Sequence, residues 1–173
     1  MGNIANLRMG VCSISLGGND MGHTLGGVKV QITRKLTDLK ADKYGDSPVD
    51  KVLTDVEVKV TAKVAEPVIS LINKNLPEGD YQIGSQGSRL GVAAGEGASM
   101  RTYAQQLILH PLNKGATDYS EDFVVYLAVP TASPTVNYEV AGQRVFDIEF
   151  DALVSEAYVA GRRLGHIGSA NIS

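Results

Sequence analysis

The stretch that decides the fold class lies at residues 56–64 and reads Val56-Glu57-Val58-Lys59-Val60-Thr61-Ala62-Lys63-Val64. Apolar and polar side chains alternate along it without a break, which is the pattern of a β-strand with one buried face and one solvated face. Residues 28–36 alternate in the same way, directly after Gly26 and Gly27. Each run has nine residues, or about 30 Å of extended chain, which is longer than most strands. The two runs predict long strands in a β-rich protein.

Further strands are predicted on both sides of these runs. The candidates are residues 11–16, 103–110, 123–129 and 144–152. In the last of these, alternation places Phe146, Ile148 and Phe150 on one face, which we expect to be buried with the valines of residues 56–64. Tryptophan is absent and aromatic residues make up 6% of the chain. The core must therefore be built mainly from aliphatic side chains, which suits a β-rich fold.

One helix is predicted at residues 66–77, where Pro67 lies in the first turn and a second proline ends the element. Residues 84–100 are rich in glycine and predict a loop or an irregular edge. The weakly periodic residues from 161 onward predict a partly mobile tail or an inter-subunit contact. The predicted fold class is all-β dominated, a β-sandwich or partial barrel with one short helix, in a single domain over residues 1–173.

Residues 37–55, between the two long runs, are predicted to form a projecting loop. They are mostly polar and too numerous for a tight hairpin. Long loops in compact domains are usually functional. Charges of both signs in this segment can pair across a contact, so we expect it to hold neighbouring copies together. The residues assigned to this inter-subunit loop are Asp38, Lys40, Asp42, Lys43, Tyr44, Asp46, Asp50 and Lys51.

The same part of the chain carries a family resemblance. A Gly-Gly pair leads a strand, a segment reading Tyr44-Gly45-Asp46-Ser47-Pro48-Val49-Asp50 follows, and a valine-alternating strand ends at Ala65-Glu66 before a short helix. This order resembles the tail tube proteins of long-tailed bacteriophages, which are similar in fold to the tubes of contractile tails and of type VI secretion. The resemblance covers most of the chain in the order of its predicted elements, and residues 22–76 in the amino-acid sequence itself.

The resemblance implies a structural virion protein that is made in a host cytoplasm. Members of the family form hexameric rings that stack into a hollow tube, and their inner sheets join into one continuous barrel. The implied partners are further copies of the chain, and other tail proteins such as the tape measure and the terminator. DNA would pass through the tube during genome ejection without tight binding.

If the long strands form the inner sheet, their solvated faces line the lumen of such a tube. The lumen-facing candidates are Lys29, Lys35, Glu57, Lys59, Lys63, Asp147, Glu149 and Asp151. This mixture of charges lacks the one-sided positive field that would hold passing DNA. The net charge of −3 and the pI near 5.6 also argue against a protein that grips nucleic acid over its whole surface.

The sequence contains no recognisable catalytic or metal-binding constellation. His23, His110 and His166 are scattered and lack metal-ligand spacing. The carboxylates of Asp147 and Glu149 share a strand face with Asp151, about 6–7 Å apart, a spacing that suits a cation site or an acid/base pair. We favour a solvated strand face because the alternation alone explains them. No enzyme activity, cofactor or obligatory metal is expected.

Alternatives from other classes stay open. A β-sandwich binding or adhesion module should expose clustered aromatic residues, whereas Tyr103, Tyr119, Tyr138 and Tyr158 are dispersed. A hydrolase using the acidic strand lacks partner residues. A tail completion or terminator ring is a nearer relative of the tube. No apolar run is long enough for a membrane-spanning helix, and residues 1–4 do not resemble a secretory signal.

Overall fold

A computed structural model of the chain describes residues 10–93, 97–135 and 144–169. These residues contain one short helix, α1 (Ile69–Asn75), and ten strands. The strands are β1 (Cys12–Leu16), β2 (Asn19–Asp20), β3 (Thr24–Lys40), β4 (Pro48–Val64), β5 (Asp80–Gly84), β6 (Gly87–Gly91), β7 (Gln105–Pro111), β8 (Phe123–Pro130), β9 (Phe146–Ala152) and β10 (Gly165–Ile167). The predicted all-β class with one short helix is confirmed.

Eight of the strands form one sheet in the order β2-β1-β7-β8-β9-β4-β3, with β10 also paired to β8. Strands β2 and β3 lie at opposite edges of this order, yet only residues 21–23 connect them. A flat sheet of this order would separate its edge strands by about 29 Å, and so short a connection reaches only about 14 Å. The sheet must therefore curl on itself. It stays open, because no ladder joins β2 to β3 in the described part of the chain.

The hydrophobic core fills the inside of this curled sheet. Val60 is 1% exposed and is paired with Val30 on one side and Phe150 on the other. The predicted burial of the alternating valines with the aromatic strand is confirmed, except that Val56 is only half-buried. The other fully buried side chains come from β1, β4, β7, β8, β9 and the β2–β3 connection, and the largest are Phe146, Phe150, Ile14, Met21, Leu107 and Ile148.

Strands β3 and β4 form one long antiparallel hairpin of 17 residues on each side. Near its start, a register shift lies between Thr24 and Val28, and both glycines in this bulge have positive φ, 81° at Gly26 and 86° at Gly27. Residues other than glycine rarely adopt that backbone conformation, which explains the Gly-Gly pair. The prediction that all of residues 37–55 form a loop is wrong. Most of that segment belongs to the two strands, and only residues 41–47 form the turn between them.

Other boundaries also differ from the predictions. Helix α1 is shorter than the predicted 66–77, because Val68 is still extended and Leu76 has left the helical conformation. Strand β6, paired with β5, lies within the segment predicted as an irregular loop. Strand β10 lies within the predicted tail, and His166 pairs there with Val124 of β8. Strands of three to five residues are too short for alternation to identify them.

Substitution of Val60 by Asp is expected to unfold the protein. The carboxylate would replace a side chain that is 1% exposed between Val30 and Phe150. Burial of an unpaired charge removes most or all of a stability margin of about 5–15 kcal/mol. Gln31→Asp, on the solvated face opposite Lys59, is the matched control and should remain folded. A cooperative thermal transition by circular dichroism in V60D would contradict the assigned core.

Candidate assembly surfaces

The far half of the β3–β4 hairpin projects beyond the rest of the sheet. Strand β9 covers β4 only from Lys59 to Val64, so nothing in the described chain pairs with β4 before that point except β3. Every residue from 34 to 55 is exposed. We call residues 34–55 the hairpin arm. A two-stranded hairpin is marginally stable alone, which makes a projecting one a natural contact element.

The charges predicted to contact other subunits are mostly paired within the arm itself. Lys51 Nζ lies 2.7 Å from an Asp38 carboxylate oxygen, and Lys40 Nζ lies 3.1 Å from Asp46. Lys43 lies over the Tyr44 ring at 5.9 Å. These contacts link the two strands and order the turn. Exposed pairs of this kind contribute about 0.2–1 kcal/mol each, so they steady the arm more than they stabilise the fold.

Two carboxylates of the arm have no ion pair in the described part of the chain. Asp42 lies in the turn, and Asp50 accepts a hydrogen bond from the backbone N–H of Lys51 at 2.7 Å. A backbone hydrogen bond leaves the carboxylate charge of Asp50 uncompensated. The arm therefore presents unpaired negative charge near its tip.

Apolar residues of the arm are the feature that the sequence reasoning missed. Six of them are between 42% and 58% exposed: Leu36, Leu39, Tyr44, Val49, Val52 and Leu53. The pairs Leu36 with Leu53 and Thr37 with Val52 show that both faces carry apolar side chains. In the sequence, the hairpin could have been recognised from two short segments that mix apolar and polar residues on either side of a turn containing Gly45. These exposed apolar side chains make the arm a candidate contact surface.

The outer edge of β3 is a second candidate contact. Strand β3 is the last strand of the sheet, and it is 17 residues long. An edge strand presents unpaired N–H and C=O groups that favour pairing with another chain, and proteins normally shorten or cover such edges. At the opposite edge, β2 is only two residues long. Among the described residues, no strand pairs with the long outer edge of β3.

The eight residues predicted to face a lumen share the solvated face of β3, β4 and β9. Lys59 pairs in register with Asp151, Thr61 with Glu149, and Lys63 with Asp147. Across the other ladder, Lys29 is opposite Thr61, and Lys35 is opposite Asp55. Register partners lie on the same face of a sheet. The sequence prediction that these charges share one surface is consistent with this register, and we call that surface the polar face.

Ion pairs connect the charges of the polar face. Lys59 Nζ lies 2.9 Å from Glu149 and 3.8 Å from Asp151, and Lys63 lies 3.9 Å from Asp147. The hydrogen bond to Glu149, followed by the charge of Asp151, raises the pKa of Lys59. The face therefore carries charges of both signs, most of them in ion pairs, and does not present a strip of one sign.

A similar cluster lies where the arm begins. Lys35 Nζ lies 2.9 Å from Asp55 and also contacts Glu57. The hydrogen bonds that Lys35 donates to Glu57 and then to Asp55 raise the pKa of Lys35 above its ordinary value, and the bond accepted by Asp55 lowers the pKa of Asp55. A carboxyl group whose pKa is lowered by folding stabilises the folded state at a pH above its ordinary pKa. This stabilisation is lost as the pH falls through the pKa of the folded state. All three side chains are exposed, so salt screens the cluster.

An apolar groove of about 450 Å³ lies at the base of the arm, on its core side. The groove is lined by Leu53 and Val56 of the β3–β4 hairpin, by Phe123, and by a C-terminal wall that includes Leu164 and Ile167. Ile167 is 69% exposed. Arg162 and Arg163 border the groove, and their side chains make no hydrogen bond or ion pair within the described residues. The groove is therefore apolar inside and positively charged at one border.

The C-terminal wall of the groove is held in place by specific contacts. Tyr126 stacks on Tyr158 with ring centroids 3.6 Å apart, and its hydroxyl lies 2.9 Å from His166 Nδ1. The backbone N–H of Ser155 donates to the carbonyl of Arg163, and that of Tyr126 donates to Leu164. This wall belongs to the segment predicted as a tail. The structure shows a docked segment with a short strand.

The histidines do not form a common site in the structure. His110 Nδ1 lies 2.7 Å from the buried carboxylate of Asp122, His166 contacts Tyr126, and His23 lies 3.6 Å from Glu66. Within residues 10–93, 97–135 and 144–169, no three His, Cys, Asp or Glu side chains are arranged to hold a metal ion. No helix in those ranges is long and apolar enough to cross a membrane.

Comparison with known proteins adds no family to this picture. A scan of the sequence against protein-family models gave no match, and a search of curated proteins gave no significant one. Function must therefore be argued from the surfaces themselves.

Replacement of Lys35 by Met is expected to raise the pKa of Asp55 toward its ordinary value of 3.8, because the hydrogen bond that lowers it is lost. Carboxyl-detected NMR titration at a concentration that keeps the protein monomeric measures this pKa directly. Lys63→Met removes an ion pair at the other end of the polar face and should leave Asp55 unchanged. An Asp55 that already titrates at 3.8 in the unmodified chain would contradict the cluster.

Proposed function

We propose that this protein is a structural subunit that assembles with copies of itself into stacked hexameric rings, forming a phage-type tail tube through which DNA passes. Its mechanism is geometric, with no catalytic step and no cofactor. Its partners are further copies and the other tail proteins that begin and end a tube, and its location is the virion tail. The family resemblance of residues 22–76 motivates the proposal.

The observation that carries the proposal is the hairpin arm together with the outer edge of β3, which has no partner strand within residues 10–93, 97–135 and 144–169. A 17-residue edge strand that continues into an exposed, partly apolar hairpin is a liability for a protein that stays monomeric. Pairing with the next copy around a closed ring covers every such edge at once. Contact through the arm covers its exposed aliphatic side chains as well.

The polar face supports the conduit role. It carries Lys59 and Lys63 beside Asp147, Glu149 and Asp151, and these charges are paired with each other. Tight DNA binding requires unpaired Lys and Arg side chains that neutralise phosphates and release counterions. A lumen wall with internally paired charges leaves DNA free to slide. The expected absence of enzyme activity and of a bound metal stays a prediction, which elemental analysis and activity screens can test.

Negative-stain microscopy of the concentrated protein is expected to show rings or tubes. Removal of residues 37–52, with Leu36 joined to Leu53 through a short Gly/Ser turn, is expected to abolish tubes. Leu36 and Leu53 are register partners, so a turn can close the shortened hairpin there. Because the buried core begins near Val58, outside the deleted segment, the deletion should leave the fold of one subunit intact.

Circular dichroism of the shortened protein provides the control, since its strand content and cooperative melting should persist. Normal tubes from the shortened protein would show that the arm only connects two strands. An unmodified protein that stays monomeric at all accessible concentrations would contradict the proposed function itself.

A further inference from the structure

We propose that the groove at the base of the hairpin arm receives the arm tip of a neighbouring copy. This inference rests on the self-assembly proposed above and identifies the surface that the arm contacts. The groove and the arm tip are different patches of one chain, so the contact is head-to-tail. Contacts of that kind generate rings or filaments and do not stop at a symmetric dimer.

The arm tip presents a face that suits an apolar groove. Thr37 pairs with Val52 and Leu39 pairs with Asp50, and alternation along β3 places both pairs on the same side. We call Thr37, Leu39, Asp50 and Val52 the docking face. Leu39 and Val52 are 46% and 42% exposed, so their burial in a partner removes apolar surface from water.

Charge complementarity selects the occupant of the groove. The groove is bordered by Arg162 and Arg163, which have no side-chain partner in the described chain. The docking face carries Asp50, and Asp42 lies in the adjacent turn. Neither carboxylate has an ion pair in the described chain. Guanidinium and carboxylate groups form short, bidentate hydrogen bonds when they meet. The apolar pair and the acidic pair of the tip thus match the apolar interior and the basic border of the groove.

The remaining charges of the tip do not oppose this contact. Lys40 is paired with Asp46, and Lys51 is paired with Asp38 on the opposite face of the arm. Lys43 is directed over the Tyr44 ring. Lys43 has no ion pair in the described chain, so the unpaired charges of the tip are two carboxylates and one ammonium, which leaves an excess of negative charge.

A chain cannot fill its own groove with its own tip. Leu53 lines the groove and pairs with Leu36, so both lie on the side opposite Leu39 and Val52. Along β3, Leu39 is seven residues beyond Ile32, which also lines the groove; that distance is about 23 Å of extended chain. A paired ribbon does not fold back over that length. An arm tip that fills the groove must therefore come from a second copy.

Cysteine cross-linking tests the contact directly. In a Cys12→Ser background, Leu39→Cys and Ile167→Cys proteins of distinguishable mass are mixed and oxidised. We expect a disulfide-linked heterodimer between the arm of one copy and the groove of the other. Ile83→Cys is the matched control for Leu39→Cys, because Ile83 is an exposed aliphatic residue at 79% on the separate β5–β6 hairpin. If Leu39→Cys cross-links to Ile167→Cys no more than Ile83→Cys does, the proposal is overturned.

A charge swap tests the role of the border. Arg162→Asp with Arg163→Asp, or Asp42→Arg with Asp50→Arg, is expected to weaken self-association by at least tenfold in sedimentation velocity. A chain that carries all four changes should self-associate at least tenfold more strongly than either single-side variant. Lys43→Glu, in the same turn, should have little effect. Folded single-side variants that assemble as well as the unmodified protein would overturn the proposal, as would a swapped chain that does not recover.

These outcomes separate this inference from the proposed function. If the unmodified protein forms tubes and the groove variants do as well, only the groove contact is wrong, and the groove serves another ligand. If the unmodified protein forms oligomers that are neither rings nor tubes, and the groove variants abolish them, the contact stands and the tail-tube function fails.

Discussion

The pairing of β4 with two neighbours of unequal length is the constraint on which the rest of the structure depends. On one side, β3 follows β4 from end to end, whereas on the other β9 reaches only from Val64 to Lys59. The doubly paired half of β4 supplies Val60 and its neighbours to the core. Nothing in the described part of the chain except β3 pairs with the other half, and that half projects. One strand therefore produces both the stable domain and the exposed arm, and the length of β9 sets the boundary between them.

Strict alternation made the core half of this arrangement predictable. Residues 56–64 and 146–152 show the period of two without a break, and the predicted faces agree with the burial of Val60 and Phe150. The arm was not predictable in the same way. Register shifts after Lys35 and Leu39 interrupt the pairing, and the alternation in residues 48–55 is lost as a result. The groove also escaped prediction, since it joins residues near position 53 to residues near 164, and no local pattern reports such a long-range contact.

Charge is used differently on the two exposed surfaces of the hairpin. On the polar face, lysines and carboxylates alternate across the ladders and pair within one subunit, which leaves little net field. On the arm and at the border of the groove, Asp50, Asp42, Arg162 and Arg163 stay without ionic partners in the described chain. Paired charges keep a surface wet and unselective, whereas unpaired charges beside apolar side chains favour one complementary partner.

Exposure of the arm also has a thermodynamic consequence for assembly. An isolated two-stranded hairpin is close to the limit of stability, because the entropy lost in ordering its residues is barely offset by its own hydrogen bonds. The internal ion pairs of Lys40 and Lys51 and the short turn at residues 41–47 reduce that loss before any partner arrives. A partner that covers Leu39 and Val52 then meets a nearly formed ribbon and spends little of the binding free energy on ordering it. Under the proposed contact, the arm is ordered before it docks, and its exposed apolar side chains are covered only by the partner. That combination suits a subunit whose final stability is reached only in the assembled state.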